Sequence, residues 1–352
     1  MVHYVKTRLT ATIMLVTVTL LGASCQPTDN QENSTITLDV LDDSRLGLAL
    51  LTSDEVRTVA AVAQTHPALV EFNDHLQDRA DESYISFVAR NWFDPASGNS
   101  RMSNAISRYT SATEAAGSLA LLVGDAPRLE TNVAIGDSSL AVQTSDSVIY
   151  RFSADEYSVK IEVVATADQF AANDLLAVAE QLAQVQQQRL TAVAEGNITL
   201  TSNTAMERLP NTLTDLTALG TTAVTALEWR GVEHNFNSTT IDGFINGAMR
   251  RFQFNNQLDQ IVEVTVMEFA STEQANEFQW EIIGQAPTIV LPDQLSNTAN
   301  AVDFGELVEL QSRQGNYVID ISIFAPFGKI DKTGATADLK TVAAEVLGNF
   351  VN

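Results

Sequence analysis

The chain has 352 residues, with 44 Asp and Glu against 20 Lys and Arg, and a formal charge of −24 at pH 7. That length allows one large or two ordinary domains, and so acidic a surface repels nucleic-acid phosphates and anionic lipid headgroups, which excludes both as expected partners. A single cysteine excludes an intramolecular disulfide and any CxxC metal or redox motif.

At the start of the chain, Lys6 and Arg8 precede an apolar run from Ala11 to Ala23, diluted by three threonines and followed by Ser24 and Cys25. A helix that crosses hydrocarbon needs about 20 mostly apolar residues. This run is shorter and has no basic flank on its far side, so it reads as an export signal. The segment resembles the signal of bacterial lipoproteins, in which small residues precede a cysteine that receives diacylglycerol and becomes the mature N-terminus. The resemblance implies a signal peptide over 1–24 with Gly22, Ala23 and Ser24 as the processing site. It also implies lipidation of Cys25 and an extracytoplasmic protein anchored to a bacterial membrane by that lipid. The alternative is an ordinary signal with an incidental cysteine, which would give a secreted soluble protein. Gln26 to Ser34 (QPTDNQENS) is polar and without pattern. Residues 25–44 are therefore expected to form the lipidated N-terminus and a flexible tether.

Beyond the tether, segments displaced by 160 residues match one another. NAISRYTSATEAA reads against VTVMEFASTEQAN, and SVIYRFSADEYSVKIEVVA against LVELQSRQGNYVIDISIFA. The same offset pairs Tyr84 with Phe244, Arg90 with Arg250, Trp92 with Phe252 and Tyr157 with Tyr317. The closing helices match at an offset of 164 (NDLLAVAEQL with ADLKTVAAEV). A period this long describes a whole domain and not a stackable repeat. The expectation is a first domain over 45–195, a linker over 196–209 and a duplicate over 210–352.

Each copy is expected to open with a helix, in TSDEVRTVAAVAQ and in TLTDLTALGTTAVTAL. Two strands with one buried face follow: SYISFVARNWF and MSNAISRYT, then FINGAMRRFQF and QIVEVTVMEF. A helix starts after each pair with a capping-box pattern, Ser111-x-x-Glu114 and Ser271-x-x-Gln274. Next come strands centred on Leu140, Val148 to Phe152 and Tyr157 to Val164, with counterparts at Ala301, Leu307 to Gln311 and Tyr317 to Phe324. The turns ADEY and QGNY join the last two strands, and Gly315–Asn316 suits a hairpin that needs positive φ. Apolar residues at Leu175, Val178, Ala179, Leu182 and Val185, and at Leu339, Val342, Ala343, Val346 and Leu347, have the period of a helix laid across a sheet. The predicted fold is α+β: two related domains, each an antiparallel sheet of about five strands packed against helices.

Motifs of known chemistry are absent. His66, His75 and His234 have no histidine or cysteine at ligand spacing, so no metal site is expected, and the acidic stretches do not reproduce a calcium-binding loop. GxSxG, GxGxxG and GxxxxGK[ST] do not occur, so no catalytic residue and no cofactor are assigned. Glu162, Glu263 and Glu268 fall in strands, with Glu263 and Glu268 on opposite faces by parity, and are expected to be solvated. The aromatics Trp92, Phe93, Trp229, Phe236, Phe252, Phe254 and Trp280 are candidates for core or groove. The matched residues Arg90, Trp92, Arg250, Phe252, Tyr157 and Tyr317 make up the candidate ligand groove, though matched aromatics more often mark a shared core. The functional expectation is a lipid-anchored binding or interaction module, partnered by its membrane and by a protein or a small ligand. The alternatives are an envelope hydrolase and a lipoprotein that carries an apolar or small polar ligand. An enzyme is the less expected of these.

Overall fold

The long alternating segments form two antiparallel sheets. The structure, a computed structural model, describes residues 43–73, 83–121, 124–165, 172–232, 240–256, 260–282, 288–292, 295, 299–325, 330–348 and 350. The leader, Cys25 and the tether through residue 42 lie outside the described residues, as do His75, His234, Phe236 and the side chain of Trp280.

In chain order, the first half contains α1 (Asp43–Leu48), α2 (Ser53–Arg57), a 3-10 turn (Ala60–Val62), β1 (His66–Pro67), β2 (Glu71–Asn73), β3 (Tyr84–Phe93) and β4 (Ser100–Tyr109). It continues through α3 (Ala112–Leu121), β5 (Arg128–Leu129), β6 (Ser138–Gln143), β7 (Ser147–Ala154), β8 (Tyr157–Val164) and α4 (Ala172–Ala194). The second half contains α5 (Thr204–Arg208), β9 (Leu216–Val224), α6 (Ala226–Val232), β10 (Phe244–Phe254), β11 (Ile261–Phe269) and α7 (Thr272–Ile282). It ends with β12 (Ala299–Asp303), β13 (Leu307–Gln314), β14 (Tyr317–Phe324) and α8 (Lys332–Gly348).

The two sheets share one strand order. The first runs β1-β3-β4-β8-β7-β6-β5, with β2 also on β3, and the second runs β9-β10-β11-β14-β13-β12. The common part, β3-β4-β8-β7-β6, becomes β10-β11-β14-β13-β12 at the offset of 160. One irregularity repeats as well. A register slip falls at Tyr84/Ser86 and at Phe244/Asn246, and leaves Ile85 and Ile245 turned outward, 37% and 55% exposed. Edge-to-face ring pairs sit beside each slip, Tyr84 with Tyr109 at 5.9 Å and Phe244 with Phe269 at 6.1 Å. The final hairpins turn on a positive φ in both copies, at Asp155 (52°) and at Gly315 (63°). That conformation is easy for glycine and tolerable for aspartate.

The opening of each copy differs from expectation. The stretch read as the second copy's first helix forms β9, followed by the short α6. Thr217, Thr221, Thr222 and Val224 favour the extended chain, and pairing with β10 completes the strand. In the first copy, the expected helix shrinks to α2 and a 3-10 turn. The collinear pair β1 and β2 is the counterpart of β9 there: Pro67 opposes Trp92 and Phe72 opposes Val88, as Ala218 opposes Phe252 and Ala223 opposes Ala248. The residues expected as a linker contain α5, N-capped by Asn203, whose side chain accepts from the Met206 N–H.

The closing helices match at the expected shift of 164. Leu175, Ala179 and Leu182 of α4 and Leu339, Ala343 and Val346 of α8 are all buried. One apolar core lies between β11, β13, β14 and α8. The other fills the first sheet, α4 and the segment 46–72, and continues into the second half through Leu219, Val224, Trp229, Met249, Met267 and Phe269. The described residues accordingly belong to one compact unit. Phe72 is the hinge of that continuity. A Cβ placed on Gly47 of α1 would stand 2.8 Å from its ring, and one on Gly220 of β9 would stand 2.3 Å away. Both glycines are required by this close approach. The N–H of Thr221 donates to Ser44 Oγ at 3.0 Å, which ties α1 to β9. Among the described residues, no helix is long and apolar enough to cross a membrane.

Candidate functional site

A recess with a volume of about 650 Å³ opens where α1, α2, β9 and α6 meet. Leu48, Leu50, Ala223, Ala226 and Leu227 supply its apolar wall, while Asp54, Arg57, Arg90, Arg189 and Glu228 supply charge. Both halves of the chain therefore build it.

Two arginines there are held by one repeated device. Arg90 of β3 places Nη2 2.6 Å from Glu228 Oε1 and donates from Nη1 to the Leu51 carbonyl at 3.1 Å. The other Glu228 oxygen accepts the N–H of Thr225 at 2.7 Å, and the N–H of Glu228 donates to Thr225 Oγ1 at 3.2 Å. This reciprocal capping box starts α6. At α2, Thr52 and Glu55 form the same box, and Glu55 Oε1 takes Arg189 Nη1 at 3.0 Å. Arg189 Nε donates to the Leu48 carbonyl at 2.7 Å. Each glutamate thus starts a helix with one oxygen and neutralises an arginine with the other. The pair Arg90–Glu228 is buried on both sides, at 8% and 7% side-chain exposure, and among the described residues the Arg90 Nε–H has no acceptor. Arg57 meets Asp54 at 3.5 Å in solvent, where an ion pair adds little.

Of the six candidate groove residues, only Arg90 lines this cavity. Trp92, Tyr157 and Phe252 are fully buried core side chains, with the Arg90 guanidinium 6.0 Å from the Trp92 ring centre. Tyr317 is half-buried, covered by Arg208 at 5.6 Å, and donates to Glu268 at 3.3 Å. Arg250 lines a second, smaller recess. Glu228, Glu55 and Arg189 were missed. The first two carried a readable signal, the T-x-x-E spacing at Thr225 and Thr52.

The strand carboxylates are less solvated than expected. Glu263 is buried and bonds Arg251 Nε at 2.7 Å. Glu268 lies on the other face, as parity predicts, and accepts from Thr204 and from Asn246 Nδ2. Burial favours protonation of Glu162, but the charge of Lys160 and hydrogen bonds from Lys160, Ser147 and Ser103 outweigh it and hold its pKa below the usual value. At the rung where the first copy has Lys160, the second has Asp320, hydrogen-bonded by Gln311 at 3.0 Å and Ser322 at 3.1 Å. Burial first, then the charge and hydrogen bond of Glu309 and the charge of Glu263, push its carboxyl well above the usual range.

A raised folded pKa contributes stability below the unfolded value of about 3.9, and that contribution is lost as pH rises through the folded pKa. Arg251 offsets Glu263 from the neighbouring rung and leaves the Glu309–Asp320 repulsion in place. Asp320→Asn should therefore match wild type at pH 4 and exceed it at pH 8, by on the order of 1 to 3 kcal/mol. Urea unfolding at the two pH values measures this, and an unchanged pH dependence would refute the assignment.

His66 is the histidine among the described residues. Burial, and then the charge of Arg57, lower its pKa, so it is neutral at pH 7. Among the described residues, no group of three His, Cys, Asp or Glu is placed to hold a metal ion. The sequence matches no model of a known protein family and no curated protein.

Proposed function

We propose that this chain is a lipid-anchored extracytoplasmic protein that binds a small polar ligand, without catalysis, in the cavity between its two halves. The observation that carries this reading is the cavity itself. Its volume of about 650 Å³ falls within the range of about 300 to 1,000 Å³ usual for small-molecule sites. Its apolar wall with a few convergent charged groups has the composition of such sites. The arginines and glutamates are neutralised in pairs, which favours a ligand carrying both donors and acceptors over a bare ion. Location rests on the leader and Cys25, which would put the tethered domain at a membrane surface.

One experiment tests both parts. Protein extracted from its own membrane in mild detergent is weighed intact and then under native conditions, alongside an Ala226→Trp variant whose indole fills the cavity. The expected result is diacylglyceryl mass on Cys25 in both proteins, and a small-molecule adduct, or thermal stabilisation by envelope extracts, in wild type alone. An unmodified cysteine would overturn the anchor. Equal ligand uptake by the two proteins, or none by either, would overturn the binding site.

A further inference from the structure

The two repeats place an arginine at the same rung of the same strand and, among the described residues, pair only one of them with a carboxylate. Arg90 has Glu228. Arg250 donates from Nε to Thr221 Oγ1 at 2.6 Å, and from Nη1 to the Pro210 carbonyl at 2.6 Å and Asn211 Oδ1 at 3.1 Å. Both arginines thus bond a main-chain carbonyl of the segment leading into the sheet, Leu51 or Pro210. Among the described residues, however, no carboxylate reaches ion-pairing distance of Arg250. A guanidinium does not deprotonate in a protein, so its charge persists although it is half-buried.

That charge lines a recess of about 380 Å³ with Ser44, Asn211, Gly220 and Thr221. The side-chain acceptors of the wall are already engaged. Thr221 Oγ1 and Asn211 Oδ1 hold Arg250, and Ser44 Oγ accepts from the Thr221 N–H. Among the described residues, the donors of the wall with no acceptor are Arg250 Nη2, the Ser44 and Thr221 hydroxyl protons and the Asn211 amide Nδ2, while each side-chain oxygen already accepts one bond. Donors around an uncompensated guanidinium suit an oxyanion, because the planar fork fits carboxylate and phosphate oxygens two at a time.

We propose that the recess beside Arg250 binds a small diffusible oxyanion, a carboxylate or phosphate group, which takes the place that Glu228 takes at Arg90. The chain's charge of −24 opposes an anionic bilayer as the source. A small ion is repelled less, because charges beyond about 8 Å are largely screened at physiological ionic strength. This site is distinct from the larger cavity and does not depend on the function proposed for it.

The test titrates the mature protein by calorimetry in sodium chloride at physiological ionic strength with inorganic phosphate, sulfate, acetate and succinate. At least one should bind, and preference for the phosphate and sulfate pair or for the carboxylates assigns the group. Arg250→Gln should weaken binding by about tenfold or more, the loss of a charge-assisted bond. Asn211→Asp supplies a carboxylate from the protein, so it should abolish binding and raise the melting temperature. The second variant carries the test if the first fails to fold. Failure of all four ions to bind wild type would overturn the proposal, as would binding that survives both substitutions.

Discussion

Glu228→Ala should lower the unfolding free energy by about 3 to 5 kcal/mol, the cost of removing one partner from a buried ion pair. The Arg90 guanidinium would remain at 8% side-chain exposure, with its Nε–H already lacking an acceptor among the described residues. The Thr225 N–H would lose its acceptor as well, opening the first turn of α6. Glu228→Gln keeps the shape and one carbonyl oxygen but not the charge, and should fall between the two. The exposed counterpart, Asp54→Ala, should change stability by less than about 1 kcal/mol. Urea unfolding of the three variants measures the series. Equal effects at Glu228 and Asp54 would contradict the buried-pair account.

Phe72→Ala should cost a similar amount, about 3 to 5 kcal/mol, because it empties a fully packed site. The ring is 1% exposed and is clasped by Gly47 and Gly220, neither of which leaves room for a side chain. Neighbours that are backbone cannot collapse inward as side chains can, so the void should persist. The loss should also be felt in both sheets, since the ring belongs to the first and the second glycine to β9. Thermal and urea unfolding check the magnitude, and a loss under about 1 kcal/mol would mean that the seam is loosely packed.

Much of the fold was legible in the sequence. β8 and β14 were read end to end, because a two-residue turn fixes one boundary and strict alternation fixes the rest. The helices α4 and α8 declared themselves by period, including the shift from 160 to 164. β9 was not legible, because Leu213, Leu216, Leu219, Ala223 and Leu227 fall at spacings of three and four and mimic a helical stripe. What decides it is tertiary: the pairing with β10 and the capping of its edge by α1. The kinship of β9 with β1 and β2 was hidden for a related reason, since the first copy breaks that strand at 68–70.

The site was half legible. Arg90 and Arg250 stood out because a base-poor chain repeats them, but their opposite fates depend on Glu228, which sits 138 positions from Arg90. Thr225-x-x-Glu228 is the same signature noticed at Ser111 and Ser271, masked by its place at the tail of the expected helix. Arg189 lies in the polar run QQQR, which reads as a solvated helix face, and its inward role follows only from α1 and α2 packing on α4. Trp92, Tyr157 and Phe252 behave as the commoner reading of matched aromatics had them, as core.

Two copies of one α+β unit share a core and so frame the cavity as a single body. Native-state hydrogen exchange tests it most directly, because it reports an opening free energy for each strand separately. The amides of β4 and β8 should share their highest opening free energy with those of β11 and β14, and Phe72→Ala should lower both sets together. Separate limiting free energies for the two sheets, or a loss confined to the first, would contradict the claim and leave the cavity as a gap between independent domains.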